Sequence, residues 1–126
     1  MVNPNQQTIR DRDTGLTPED LAALRENLTE QRLFRREQLQ QMAAAAGPGE
    51  ADGSGLPAAS QIEVRVKLAT SARMVLADVE AALRRMDERR YGDCHLCLRP
   101  IARERLMIVP QARYCARCQQ VREAGR

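Results

Sequence analysis

Apolar residues first recur with helical spacing at Leu21, Leu24, Leu28, Leu39 and Met42, with Leu33 and Phe34 beside that stripe. The start of this segment carries its own signals. Thr17 offers a hydroxyl to an orphan backbone N–H, Pro18 loses nothing at a first helical position, and Glu19 and Asp20 complement the positive end of the helix dipole. No glycine or further proline intervenes until Gly47 and Pro48, so the pattern predicts a helix from about Thr17 to Ala46. Its last turn, Ala43 to Ala46, keeps helix propensity high but supplies almost no packing volume.

A second stripe follows heptad-like steps at Ile62, Ala69, Ala72, Leu76, Val79, Leu83 and Met86, broken by Arg65 and widened by Val66, Leu68, Val75 and Ala82. Ser60 with Glu63 reads as a capping box at its start, and Gly92 as its end cap. Charged residues such as Arg73, Asp78, Glu80, Arg84 and Glu88 take the other faces, as in a solvated two-helix coiled coil. Residues 47–59 hold four glycines and two prolines beside Glu50, Asp52 and Ser54, which forbids continued helix. This connection exceeds the ~2–5 residues that an antiparallel helix pair needs. Two helices of about thirty residues make a rod ~45 Å long. A rod this thin, with one buried stripe per helix, is marginal without an anchor at its base.

That anchor is legible in the cysteines. Cys94/Cys97 and Cys115/Cys118 form two C-x-x-C pairs with seventeen residues between the inner cysteines, and no other cysteine exists in the chain. Each pair supplies the tight turn that lets two sulfurs share one ion, so the four side chains predict a closed tetrahedral structural Zn2+ site. A catalytic zinc keeps an open position and usually enlists histidine or carboxylate. Thiol redox is the rival chemistry, but it asks for a βαβ setting that this sequence lacks. His95, next to Cys94, is awkwardly placed for simultaneous ligation and reads as exposed. Leu106 to Val109, closed by Pro110, reads either as one strand of a ribbon or as a lid packed over the metal, and Ala116 to Glu123 as a short helix stopped by Gly125.

Composition agrees with an elongated helical chain more than with a sandwich or barrel. Of 126 residues 29% are charged and only 2% aromatic, which leaves a thin aliphatic core. The expected fold class is therefore all-α: an antiparallel helical hairpin over residues 17–90 with its tip loop at 47–59, then a C4 zinc module and short C-terminal helix over 91–126. Residues 1–16, polar and charged, are expected to be a flexible tail. The formal charge of +3 is too mild to announce a nucleic-acid binder. Arg99, Arg103, Arg105, Arg113 and Arg117 around the cysteines read as compensation for a negative thiolate cluster, or else as a partner-binding face. No leader-like or membrane-spanning apolar run is present, so the expected setting is the reducing cytosol, without a membrane partner. No nucleophile, base and orienting acid come together in the sequence, and the chain alone is not expected to be an enzyme.

Tyr91-Gly92-Asp93-Cys94-His95-Leu96-Cys97, then Pro100-Ile101, Arg105-Leu106, and Pro110-Gln111-Ala112-Arg113-Tyr114-Cys115-Ala116-Arg117-Cys118 resemble the DksA/TraR family of C4 zinc-finger transcription regulators. The likeness covers roughly residues 60–120, with the first helix matched only by pattern. It implies a regulator that binds RNA polymerase directly, without reading a DNA sequence, by inserting the hairpin into the secondary channel. The loop would then be the working tip, with Glu50 and Asp52 standing where family members carry a pair of aspartates. Those members also use basic residues to help bind the alarmone ppGpp. Asp78 and Val109 stand at those positions here, and neither supplies the charge-assisted bonds a polyphosphate wants, so little or no ppGpp dependence is expected. Leu98 replaces the glycine common after the first knuckle, and adds strain of order 1 kcal/mol if that position needs a positive φ. The alternatives are a zinc-dependent protein adaptor using the same rod, or a small nucleic-acid-binding zinc ribbon.

Overall fold

The computed structural model of the chain describes residues 15–45 and 59–125. Among these, the order of elements is α1 (Pro18–Ala45), α2 (Ala59–Asp87), α3 (Arg103–Ile108) and α4 (Ala116–Ala124). The first two helices, of 28 and 29 residues, form the antiparallel hairpin, each ~43 Å long. Their direction is visible in two cross-helix ion pairs, Arg25 with Asp87 at 3.0 Å and Arg36 with Glu80 at 2.7 Å. Glu50 and Asp52, the expected tip residues, lie outside the described residues.

The start of α1 follows its capping chemistry. The Asp20 N–H donates to Thr17 Oγ1 at 3.0 Å and the Thr17 N–H donates back to the Asp20 carboxylate at 3.1 Å, a reciprocal cap. Leu16, on the tail side of the expected boundary, is buried in the same cluster as Leu21. These are the positions just before the cap and four beyond it, the arrangement of a hydrophobic staple that fixes how the chain enters the helix.

At the start of α2 the expectation differs from the structure. The helix already includes Ala59, so Ser60 sits inside it and not at its cap, and Glu63 pairs with Lys67 at 3.3 Å. The end of α2 also differs. Arg89 takes a left-handed backbone (φ 59°), its N–H bonding to the Met86 carbonyl and the Arg90 N–H to the Arg85 carbonyl, which is a Schellman closure. Gly92, expected as that cap, uses its φ of 98° three residues later, where the chain turns into the first cysteine pair.

Among the described residues, two apolar clusters hold the fold together. One joins Leu28 of α1 to Val79, Ala82 and Leu83 of α2. The other joins Leu16 and Leu24 to Cys94, Ile101 and Leu106, with Met86, Tyr91 and Tyr114 packed against it, so the foot of the hairpin and the cysteine module share one core. Toward the far end burial fades. Every buried residue of α2 lies at or beyond Ala72, while Ile62, assigned to the seam by its heptad position, is 48% exposed. Val64, Val66 and Leu68 are exposed with it, and the alanine-rich end of α1 lies at that same end of the hairpin with little side chain to cover them.

Candidate metal centre

The first cysteine pair sits in a backbone knuckle. The Cys94 N–H bonds to the Arg99 carbonyl at 2.8 Å, Leu98 N–H to the Cys94 carbonyl at 3.0 Å, and Ile101 N–H to the Gly92 carbonyl at 2.7 Å. Asp93 and Pro100 form an isolated antiparallel bridge across it. Leu98 takes φ 63°, so the left-handed strain expected from its sequence position is present. The second pair opens α4: Cys115 is the N-cap, and its sulfur accepts from the Cys118 N–H at 3.5 Å. The His95 N–H, bonded to the Arg113 carbonyl at 2.8 Å, ties the two knuckles to one another.

These turns bring the four sulfurs of Cys94, Cys97, Cys115 and Cys118 within 4.8 Å of one another, a cluster able to hold a metal ion. Cys97 and Cys115 lie 3.9 Å apart, far beyond disulfide length and close to the ~3.8 Å edge of a tetrahedron with 2.3 Å metal–sulfur bonds. The electrostatics fit a cation as well. Burial pushes the Cys94 thiol up, but N–H groups of Cys97, Cys115 and Leu96 aimed at its sulfur outweigh this and hold it at about 6. Cys118, bonded to the Cys115 sulfur and crowded by those of Cys94 and Cys97, is pushed up to about 12. Four sulfurs at this spacing ionise together only around a positive charge. Cys94 is fully buried in the shared core, whereas Cys97 is exposed.

Around the cluster, the stretch with two readings resolves into a helix. α3 buries Leu106 completely against the core and leaves Ile108 exposed, so it packs beside the cysteines and forms no strand. His95 is half-buried and not exposed as expected. Its ring meets Tyr114 edge-on at 6.0 Å, and burial together with Arg85 and Arg113 lowers its pKa.

Three of the arginines, Arg103, Arg105 and Arg113, are engaged within the protein, whereas Arg99 and Arg117 are exposed. Arg103 makes a bidentate pair with Asp20, through Nε at 3.0 Å and Nη2 at 3.1 Å, and holds that carboxyl down at about 2. Arg113 pairs with Asp78 of α2. Arg105 donates to the Tyr114 carbonyl at 3.0 Å, and Arg85 to the Asp93 carbonyl at 3.1 Å. Tyr91, its phenol pushed up by burial, donates to the Pro110 carbonyl at 2.8 Å. Sequence reasoning missed these partners because Asp20 and Arg103 are 83 residues apart and Asp78 and Arg113 are 35 apart. The cavity at this junction, lined by Asp78, Arg85, His95, Gln111 and Arg113, measures only about 10 Å³ and has room for no ligand larger than water.

A family model described as "Prokaryotic dksA/traR C4-type zinc finger" matches residues 89–124. No curated protein matches the chain significantly in sequence. Among solved structures, the fold is similar to that of transcription factor DksA2 from Pseudomonas aeruginosa, with a TM-score of 0.67 over 94% of this chain and 96% of that one, at 18% identity.

Proposed function

From a chain that carries the C4 zinc finger of the DksA/TraR family at the foot of a helical hairpin, we propose a non-enzymatic transcription regulator that binds RNA polymerase directly. The hairpin, residues 17–90, enters the secondary channel, and the finger, residues 91–126, rests at its rim. The observation that supports this reading is the join itself: the matched finger sits on a hairpin whose fold follows that of the transcription factor DksA2 along nearly its whole length. Cys94, Cys97, Cys115 and Cys118 hold one structural Zn2+, a closed soft-donor set that leaves no position for a reacting water. The ion supplies a crosslink between the two knuckles and no chemistry on a substrate.

Glu50 and Asp52 are the acidic groups delivered to the polymerase interior. The response to ppGpp is weak or absent, because Asp78 is acidic and engaged with Arg113, and Val109 is apolar and half-buried. The internal engagement of Arg85, Arg103, Arg105 and Arg113 argues against a basic face for nucleic acid.

Pull-down with core RNA polymerase at low salt, followed by crosslinking from Asp52, tests the reading. Binding with crosslinks to the channel interior is expected, and failure to bind removes it. Binding to duplex DNA with a steep salt slope would instead favour a zinc ribbon. Replacing Glu50 and Asp52 with alanine is expected to keep binding and reduce the transcriptional effect, and equal activity would leave the loop acidity as solvation only.

A further inference from the structure

Two arginines of the finger reach different helices of the hairpin. Arg103, at the start of α3, grips Asp20 in the first turn of α1. Arg113, just before the second cysteine pair, grips Asp78 of α2. Asp78 lies nine residues above the end of α2, ~14 Å along the helix axis, so the two grips are separated along the rod as well as across it. Between them lie an apolar cluster around Leu16, Leu24, Ile101 and Leu106 and, close to the chain connection itself, the hydrogen bond from Arg85 to the Asp93 carbonyl. Apolar contact is non-directional and holds the finger against the hairpin without fixing its angle. A guanidinium–carboxylate hydrogen bond is directional, doubly so where it is bidentate, as Arg103 is on Asp20; Arg113 holds Asp78 through Nε alone.

Stability alone is an incomplete account of these pairs. The Arg103, Asp78 and Arg113 side chains are all partly exposed, where ion pairs contribute little to the folding free energy, and only Asp20 is largely covered. Orientation is a better one. A tilt of about 10° at the base moves the far end of a ~42 Å helix by ~7 Å, the scale of a side chain.

We propose that Asp20–Arg103 and Asp78–Arg113 are positioning pairs, one on each hairpin helix, which set the angle at which the finger carries the rod. If the polymerase reading holds, on which this consequence rests, the angle determines where a tip anchored by the finger is delivered. The pairs themselves belong to the free protein and are tested there.

The experiment measures the spin-label distance between Val66 on the outer rod and Val121 on α4, both exposed, with labels carried on a ketone-bearing residue so that the cysteines stay untouched. Arg103→Gln and Asp78→Asn are each expected to widen the distance distribution, and together to widen it by ~5 Å, with one metal ion per chain retained by elemental analysis. Exchanging the charges, Asp78→Arg with Arg113→Asp, is expected to narrow it again. Arg36→Gln, which breaks a pair between the two hairpin helices, is expected to leave the width unchanged. Unchanged widths in the first two variants overturn the proposal. So does equal widening by Arg36→Gln, or widening accompanied by loss of metal, either of which reports general loosening. Because polymerase is absent from this measurement, a negative result leaves the binding reading standing, and failure of the pull-down leaves the positioning pairs standing.

Discussion

The two ends of the hairpin are built from the same kind of helix and held in different ways. At the base, Leu24 and Leu28 of α1, Val79 to Leu83 of α2 and the finger's Cys94, Ile101 and Leu106 enclose one another, and directional pairs cross every junction. In the outer half, Ile62, Val64, Val66 and Leu68 are exposed, and Leu39 and Met42 are only half-buried. Packing is concentrated where the metal site is, and the outer rod depends on helix propensity and on being continuous with a well-held base. Under the proposed function, a rod that enters a narrow channel gains from this division, since a second core at the far end would thicken it.

Metal removal is expected to have the largest effect on that contrast. Structural zinc sites carry apparent binding free energies of ~10–16 kcal/mol that are also folding free energy. Cys115→Ser is therefore expected to release the metal and disorder the finger, while circular dichroism still reports residual rod helix. Unchanged metal stoichiometry would sink the four-thiolate assignment.

Two leucines at opposite ends of the hairpin sharpen the comparison next. Leu28→Ala empties a fully buried site and is expected to destabilise by about 2–5 kcal/mol, whereas Leu68→Ala, at 52% exposure, should fall within about 0.5 kcal/mol of zero. Urea midpoints of the metal-loaded protein measure both, and equal shifts would erase the distinction between base and outer rod. Thr17→Ala removes the cap that joins α1 to the finger through Asp20, with an expected loss of about 1 kcal/mol in the same assay. The smallest effect has the opposite sign. Leu98 is 74% exposed at φ 63°, so Leu98→Gly relieves strain without losing packing and should stabilise the finger by about 0.5–1 kcal/mol.

Features encoded by neighbouring residues were readable from the sequence. Thr17-Pro18-Glu19-Asp20 begins α1 where its chemistry says, the two C-x-x-C pairs converge, and Leu98 carries the backbone strain that its position predicts. The misplaced details depend on the partner. The heptad-like pattern put Ile62 in the seam, yet burial is decided by what lies opposite, and little does at that end. The Gly92 cap failed because Arg89 accepts the left-handed turn first and leaves the glycine for the knuckle. Leu16 looked like tail because its staple to Leu21 matters only once the finger closes over both. The arginines looked interchangeable in sequence, and only the fold reveals that Arg103 and Arg113 hold different helices.

Amide hydrogen exchange on the metal-loaded and chelated protein tests the central claim most directly. With metal bound, protection should be greatest at Leu24 to Leu28 and Val79 to Leu83 and fall toward Ile62 to Leu68, and chelation should bring the base down to the level of the outer rod. Uniform protection along the hairpin, or a base that stays protected after the metal is removed, would contradict a rod held from its metal-clamped foot.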